Sequence, residues 1–209
     1  MTPKKSISAA SRMAVLAAAV SAATLLGACA PLIVGGAMVG TALSVTDRRT
    51  SGAQLEDQAI ELKSINRVRE AAGSESNVSV TSYNRTVLIT GEVPTEAARV
   101  ATEQAVARIE NVRATVNELA VMGTTTLSAR SNDAILSSKV KAAFVDAKDL
   151  QANAFKVVAE RGTIYLMGRV TEREANRATE LARATSGVGK VVKVFEILTE
   201  AELAALQRK

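Results

Sequence analysis

Side chains that could act as nucleophiles or metal ligands are scarce in this sequence. Its 209 residues include one cysteine, Cys29, and neither histidine nor tryptophan. Catalytic sites that pair serine or cysteine with histidine are therefore excluded, and so are zinc sites built from cysteine and histidine. We expect no enzymatic activity, no bound metal and no other cofactor, although a hydrolase that uses only carboxylates needs no histidine.

Cys29 lies in a context that predicts covalent attachment of lipid. Three basic residues near the N-terminus precede an apolar run that ends in Leu26-Gly27-Ala28-Cys29. A basic start, an apolar stretch and small residues before a cleavage site are typical of a secretory signal. A cysteine directly after that site forms a lipobox, the processing motif of bacterial lipoprotein precursors. The alternatives are a plain secreted protein with an incidental cysteine, or an uncleaved anchor helix.

The lipobox predicts how the chain is anchored and where. Cleavage before Cys29 would leave its thiol joined to a diacylglycerol and its new amine acylated. Several acyl chains hold a protein stably on a membrane, whereas one chain gives only reversible binding. The next residue is Ala30 and not aspartate, which in Gram-negative lipoproteins is typical of transport to the outer membrane. We therefore expect an outer-membrane location on the periplasmic face.

Two related segments make up most of the remaining chain. The stretch Val87–Val93 matches Ile164–Val170 at a spacing of 77 residues. In each copy an alanine-rich amphipathic stretch follows, and then an alternating apolar stretch that predicts a strand. A fixed spacing between matching segments indicates an internal repeat, so we expect both copies to fold in the same way.

A helix is predicted at the start of each copy, followed by a strand and a hairpin. Tight turns at residues 83–85 and 160–162 favour the hairpins. Asp133 precedes the apolar residues of the second helix and is expected to cap its N-terminus. The predicted core faces are Leu55, Ala59, Leu62 and Ile65 in the first helix, and Leu136, Val140, Ala143 and Phe144 in the second.

Each copy therefore has the predicted order αββαβ, and the fold class is α+β. We expect two tandem domains, each with two helices packed on one face of a small three-stranded mixed sheet. The predicted boundaries are a signal peptide at 1–28, a flexible lipidated tether at 29–52, domains at 53–122 and 123–199, and a C-terminal tail at 200–209.

Several features of the copies resemble the BON domain. They are the glycine after the apolar strand, at Gly91 and Gly168, the alanine-rich helix, the turn at Gly187-Val188 and the final strand. The stretches Ala30–Gly36 and Thr46–Gln54 resemble the dual-BON outer-membrane lipoproteins in particular. The resemblance implies a protein that binds anionic phospholipid through the first helix of its second BON domain. It also implies accumulation at cell-division sites and support of outer-membrane integrity.

Glycine positions bear on both the fold and the function. Asn111 stands where the BON turn often has glycine, and because asparagine tolerates a positive φ we expect the turn to survive. No glycine-rich fingerprint of a phosphate loop surrounds Gly91 or Gly168. We therefore expect both glycines to have a backbone role, either in a bulge or in close packing after the strand.

Charge separates the two copies. Residues 46–122 contain nine basic and eleven acidic side chains, and residues 123–199 contain twelve and eight. A lysine or arginine near an anionic bilayer contributes about 1 kcal/mol of attraction, so the second copy is expected to bind such a membrane better. The same charges would also suit an ordinary solvated surface.

Nucleic acid is not an expected partner. Without the three basic residues of the signal peptide, the formal charge falls from +5 to +2. Aromatic residues make up only 2% of the chain, which disfavours stacking on single-stranded bases.

The first helix of the second copy carries the candidate site. Ile135, Ala142 and Val145 fall outside its predicted core face, and lysines border them. An apolar stripe bordered by lysine is typical of a helix at a membrane interface. The alternative is that Ile135 and Val145 pack against the other domain or a loop. The predicted phospholipid-binding residues are Ile135, Ser138, Lys139, Lys141, Ala142 and Val145.

The expected partners are an anionic phospholipid membrane and the N-acyl diacylglycerol on Cys29. The alternative function is a protein–protein adaptor, in which the same stripe docks on an envelope enzyme or assembly factor. The matching helix of the first copy carries Glu56, Asp57 and Glu61, which predicts weak binding to anionic headgroups.

Overall fold

A computed structural model describes residues 47–207 of the chain. The predicted signal peptide, Cys29 and the tether as far as residue 46 lie outside the described residues. The first repeat consists of helix α1 (Ser51–Ala72), strands β1 (Asn77–Tyr83) and β2 (Thr86–Val93), helix α2 (Glu96–Ala107) and strand β3 (Ala114–Val121).

The second repeat has the same order of elements with one short addition. It consists of helix α3 (Leu127–Asp146), a 3-10 turn (Ala152–Ala154), strands β4 (Phe155–Glu160) and β5 (Thr163–Thr171), helix α4 (Glu172–Ala184) and strand β6 (Lys190–Leu198). Helix α5 (Glu200–Gln207) follows, in the stretch expected as a tail, and buries Leu203. The predicted αββαβ repeats and the α+β fold class are confirmed.

Each repeat forms a mixed three-stranded sheet, in the orders β1-β2-β3 and β4-β5-β6. The first two strands of each sheet are antiparallel, and the last strand is parallel to the middle one. A parallel neighbour requires a crossover connection, which α2 and α4 provide. The middle strands β2 and β5 therefore pair with a neighbouring strand along both of their edges.

Both hairpin turns are held by an aspartate from the preceding helix. The turn residues Asn84, Arg85, Arg161 and Gly162 all have positive φ, as a two-residue hairpin turn of the mirror type requires. The carboxylate of Asp57 accepts the N–H groups of the first pair at 2.7 and 2.8 Å. That of Asp133 accepts the N–H groups of the second pair at 2.8 and 2.9 Å.

The prediction that Asp133 caps the second helix is therefore wrong. Helix α3 begins two turns earlier, at Leu127, and the hydroxyl of Thr126 accepts the N–H of Ala129 as its N-cap. An aspartate just before an apolar helical pattern has the same appearance whether it binds its own helix or a distant turn. Its partners lie 28 and 29 residues further along the chain, and local spacing does not reveal them.

The predicted core face of α3 is confirmed, but that of α1 is wrong. Leu136, Val140 and Phe144 are buried, whereas Leu55 and Leu62 of α1 are 68% and 69% exposed. Helix α1 is turned because two polar residues occupy its inner face. Its buried residues are Ala53, Asp57, Ile60, Ser64, Val68 and Ala72.

The two sheets pack against each other through the faces that their helices leave uncovered. The side chains between them are Tyr83, Leu88, Tyr165 and Met167, and all four are buried. Side chains alternate between the two faces of a strand, so both faces of β2 and β5 must be apolar to form separate cores on either side. This explains why each of these strands contains consecutive apolar residues, at 87–89 in β2 and at 164–167 in β5.

Charged groups connect the repeats around this interface. Arg161 donates to the fully buried carboxylate of Glu92 at 2.8 Å and to the carbonyl of Gly91 at 2.9 Å. Burial alone would raise the pKa of Glu92, but hydrogen bonds from Asn77, Arg161 and Thr125 outweigh burial and lower this pKa. The buried carboxylate therefore remains ionised and holds the two sheets in one register.

The last residues of the predicted linker are packed against the domains. Both terminal nitrogens of Arg48 donate to the carboxylate of Glu174 at 2.7 Å, and both side chains are buried. The backbone carbonyl of Arg48 accepts a hydrogen bond from Arg169. Thr50 caps α1, which begins at Ser51. Arginine next to small polar residues looks like a solvated linker in sequence because its partner is in the other repeat.

The predicted packing role of the two strand glycines is confirmed. A Cβ atom on Gly91 would lie 1.9 Å from the carbonyl oxygen of Asn77, and one on Gly168 would lie 2.6 Å from that of Ala154. Asn111 has a φ of 70°, so the turn in which it replaces glycine does survive.

Replacing Leu88 by alanine should destabilise the folded chain far more than the same change at Leu55. Leu88 is fully buried between the sheets, and such a truncation costs about 2–5 kcal/mol. Leu55 lies on the outer face of α1, where about 0.5 kcal/mol or less is expected. Urea unfolding of residues 47–207 measures both changes. Equal losses in the two variants would show that the sheets do not share a core.

The stability of the folded chain should fall between pH 10 and pH 12. Burial is the main reason why the pKa of Tyr83 and that of Tyr165 are raised from 10.0 to about 12. The charge of Asp47 adds to this effect at Tyr83, and the charge of Glu118 adds to it at Tyr165. A phenol with a raised pKa stabilises the fold fully below pH 10, and this stabilisation is lost as the pH rises towards 12. Urea unfolding at pH 9, 10 and 11 should show the loss. The double variant Tyr83→Phe, Tyr165→Phe should have a flatter profile, and an unchanged slope would contradict the prediction.

Candidate functional site

Helix α3 turns its predicted binding residues towards solvent. Because Leu136, Val140 and Phe144 recur every four residues on the core side, residues on the opposite side are left uncovered. Ile135 is 56% exposed and Val145 is 71% exposed. Exposures of this size argue against the alternative that the two residues pack on the other domain or a loop within residues 47–207. Ser138, Lys139, Lys141 and Ala142 are exposed as well.

The exposed apolar stripe is longer than the sequence indicated. Leu127, at the first position of α3, is 74% exposed and lies on the same side as Val145, eighteen residues or five turns later. Leu127 is not among the predicted binding residues because the sequence pattern predicts a helix that begins near Asp133. The threonines at 124–126 were the available signal of an earlier N-cap.

Cations on α3 are free to meet an external charge. Lys139 and Lys141 form no ion pair within the part of the chain that the structure describes. Arg130, eleven residues before Lys141, lies on the same side of the helix and is exposed. The Ser138 hydroxyl donates to the carbonyl of Ala134 at 2.9 Å, so towards an outside group it is an acceptor only.

Two cavities lie beside the stripe. One, of about 390 Å³, lies between α3 and two turns, and the other, of about 490 Å³, is an open depression on the helix itself. Ile135 and Lys139 contribute to both of them. The first cavity is completed by Asn132, Arg161 and Gly187. An apolar side chain, a free ammonium group and an adjoining groove are what a lipid headgroup with its first methylenes would contact.

Helix α1 presents an apolar outer face of its own. Asp57 lies on its buried side and is bound to Arg49. Glu56 and Glu61 lie towards its flanks and are bound to Arg85 and Lys156. Leu55, Leu62 and Ile65 are exposed between them. The acids are therefore less available to repel anionic headgroups than the sequence suggested, and α1 is the natural comparison for any test of α3.

Within residues 47–207, no helix is long and apolar enough to cross a membrane. The same residues contain no group of three or more side chains placed to hold a metal ion.

The fold and its duplication define a class of protein. The family model of the BON domain matches residues 56–123 and 132–199, and the chain belongs to this family. It is 36% identical over 186 residues to the outer membrane lipoprotein DolP of Haemophilus influenzae. The aligned region covers 88% of this chain and 95% of that relative. The chain is thus a dual-BON outer-membrane lipoprotein with a lipid anchor.

Two further relatives match a smaller part of the chain at lower identity. A 21 kDa hemolysin of Actinobacillus pleuropneumoniae is 29% identical over 151 residues, which is 71% of this chain and 78% of the relative. An uncharacterized protein encoded in the gshII 5′ region of Anaplasma centrale is 28% identical over 145 residues, or 68% of this chain and 95% of the relative.

Replacing Asp133 by asparagine should destabilise the second repeat, because an amide has only one oxygen for two N–H groups and carries no charge. The loss of a hydrogen bond to a charged group costs about 1.5–3 kcal/mol. Asp146→Asn is the matched control, since Asp146 is exposed at the other end of α3 and should change stability by about 0.5 kcal/mol or less. Urea unfolding measures both, and a loss at Asp146 as large as that at Asp133 would refute the role in the turn.

Proposed function

We propose that this lipoprotein is a non-enzymatic module that binds anionic phospholipid through helix α3 of its second BON domain. The observation that carries the proposal is the outward face of α3, where exposed Ile135 and Val145 lie beside two lysines, Lys139 and Lys141, that form no ion pair within residues 47–207. The proposed role is support of outer-membrane integrity at cell-division sites, as in the dual-BON lipoproteins that the sequence resembles.

The two kinds of contact on α3 are individually weak and suited to act together. Each lysine near an anionic surface contributes about 1 kcal/mol, and this attraction falls with added salt. An isoleucine that leaves water completely gains about 1.5–3 kcal/mol, and Ile135 would gain part of this at the headgroup boundary. Such a helix binds reversibly on its own.

The proposed anchor on Cys29 makes weak contacts sufficient. A protein fixed to the membrane meets headgroups at a high effective concentration, because binding is then an intramolecular event. The proposal therefore assigns two tasks to two parts of the chain. The acyl groups on Cys29 and the tether at 29–52 hold the protein at the membrane, and α3 selects the lipids that surround it.

Charge also favours the second domain over the first. The excess of basic side chains lies in residues 123–199, whereas residues 46–122 carry an excess of acids. Both domains present apolar side chains on their first helix, so apolar contact alone does not separate them. We therefore expect the preference for anionic lipid to follow α3, and apolar adsorption to be shared with α1.

Ile135→Glu should lower binding of residues 47–207 to phosphatidylglycerol vesicles at least tenfold, because it places a negative charge at the centre of the apolar stripe. Leu62→Glu on α1 is the matched control and should lower binding less than twofold. Co-sedimentation at low salt measures both. Equal binding to phosphatidylglycerol and phosphatidylcholine vesicles, or the larger effect at Leu62, would contradict the proposal.

A protein–protein adaptor remains the second candidate, favoured by the two cavities that flank Ile135. A photo-crosslinker at Val145 in the full-length chain distinguishes the two functions in cells. Crosslinks to phospholipid support the proposed function. A defined protein crosslink that persists at high salt supports the adaptor.

A further inference from the structure

A further concave surface lies on the first repeat, and its residues are far from α3 in the sequence. It is a groove of about 670 Å³ between α1 and the strand β1. We call it the α1–β1 groove. Its lining includes Ser64, Val68 and Arg69 from the helix and Val78 and Val80 from the strand. The proposed lipid-binding function makes no use of it.

The groove exists because the first repeat has small side chains where the second has aromatic ones. When the two repeats are aligned so that Asp57 matches Asp133, Val68 corresponds to Phe144. By strand register, Val78 faces Gly91 as Phe155 faces Gly168. The rings of Phe144 and Phe155 pack edge to face at 5.2 Å and fill this space in the second repeat.

The connection between helix and strand differs in the same sense. In the second repeat, eight residues separate α3 from β4, and Leu150 and Ala152 from this segment pack on the core. In the first repeat only residues 73–76 separate α1 from β1, and several of them line the groove. The second repeat thus shows what covers such a surface, namely an irregular or extended segment that delivers apolar side chains.

Within residues 47–207, no strand pairs with the outer edge of β1, which borders the groove. The N–H of Ser82 donates to Glu61 and its carbonyl accepts from Lys156, so the backbone of Ser82 points away from β2. In an antiparallel strand, backbone directions alternate from residue to residue. Val78 and Val80 therefore also direct their N–H and C=O groups outwards, beside the groove. Such an edge is a template for another strand.

The charges around the groove differ at its two ends. Glu61 is neutralised by Lys156 at 2.8 Å and by the N–H of Ser82. Arg69 forms no ion pair within residues 47–207. The uncompensated charge of the groove is therefore positive and lies at the end where α1 finishes. A carboxylate on an incoming chain would complement it.

We propose that the α1–β1 groove binds an extended peptide segment of a partner protein, which pairs with the outer edge of β1 as a fourth strand. An aromatic or large aliphatic side chain of the peptide enters between Val68 and Val78, in the space that Phe144 and Phe155 fill in the second repeat. An acidic group of the peptide pairs with Arg69. Main-chain hydrogen bonds give affinity in this mode of recognition, and the side-chain pocket gives specificity.

The test uses a fluorescein-labelled octapeptide with threonine and valine in alternation, a central phenylalanine and a terminal glutamate. Fluorescence anisotropy follows its binding to the acylated mature chain in phosphatidylcholine nanodiscs, with empty nanodiscs as the blank. We expect saturable binding. Val78→Phe should weaken it at least tenfold because the new ring fills the groove, while Ile135→Glu on α3 should leave it unchanged.

Two further variants keep the result interpretable. Val80→Pro removes one outward N–H from an edge strand, where proline is tolerated, and should weaken binding at least tenfold even if Val78→Phe does not fold. Arg69→Glu should weaken binding of the glutamate peptide and strengthen binding of a peptide that ends in lysine. A peptide with proline beside its phenylalanine should not bind.

Several outcomes would overturn the proposal. They are equal binding of the proline-containing peptide, wild-type affinity in folded Val78→Phe, and displacement of the peptide by palmitate alone. Binding only after deletion of residues 30–46 would overturn it in favour of the chain's own N-terminal segment. Binding that appears only in chain dimers would overturn it in favour of a second copy. Loss of vesicle binding by α3 has no bearing on these results, so this proposal and the lipid-binding function fail separately.

Discussion

The packing of one sheet on the other is the constraint from which the rest of the architecture follows. Tyr83 and Leu88 of the first repeat meet Tyr165 and Met167 of the second, and all four are removed from water. A three-stranded sheet covered by two helices has only one of its faces buried, and the other face is apolar here. Packing the two uncovered faces on each other removes both from water, and apolar area taken from water is the main source of stability. It also leaves the helices as the outer layers, so that α1 and α3 supply the surfaces available for recognition.

Ion pairs around the sheets determine how the repeats are aligned. Arg161 reaches across to Glu92, and Arg48 reaches Glu174, so each repeat receives a charge from outside its own sequence. A buried carboxylate without its arginine is costly, so a shifted arrangement of the two sheets would be disfavoured by both pairs. The apolar contacts supply attraction that depends little on direction, and these charges select one alignment.

Much of the fold could be predicted because it repeats local patterns. The strands, the hairpins, the close approach at Gly91 and the core face of α3 all follow from periodicity and from the spacing between the copies. The orientation of α1 could not be predicted in this way. Its inner face includes Asp57, which is buried because it binds the hairpin turn, while Leu55 on the outer face looks like a core residue. The packing of one sheet on the other could not be predicted for a related reason, since consecutive apolar residues in a strand do not reveal what covers its second face. The candidate residues of α3 lie on its outer side as predicted, but the predicted stripe omits Leu127 because Asp133 resembles a helix start.

The pairing of Arg48 with Glu174 determines where a mechanical load would enter the molecule. Arg48 lies three residues before α1, yet its side chain is fixed to the start of α4, 126 residues further along the chain. Seventeen residues separate Cys29 from Asp47, and this stretch spans at most about 60 Å when fully extended. Tension from an acylated Cys29 would reach Glu174 and the carbonyl of Arg169 before it reached the hydrogen bonds of α1. The force from the anchor would therefore act on the second repeat, which carries α3. Helix α1 would not have to separate from its core under this force.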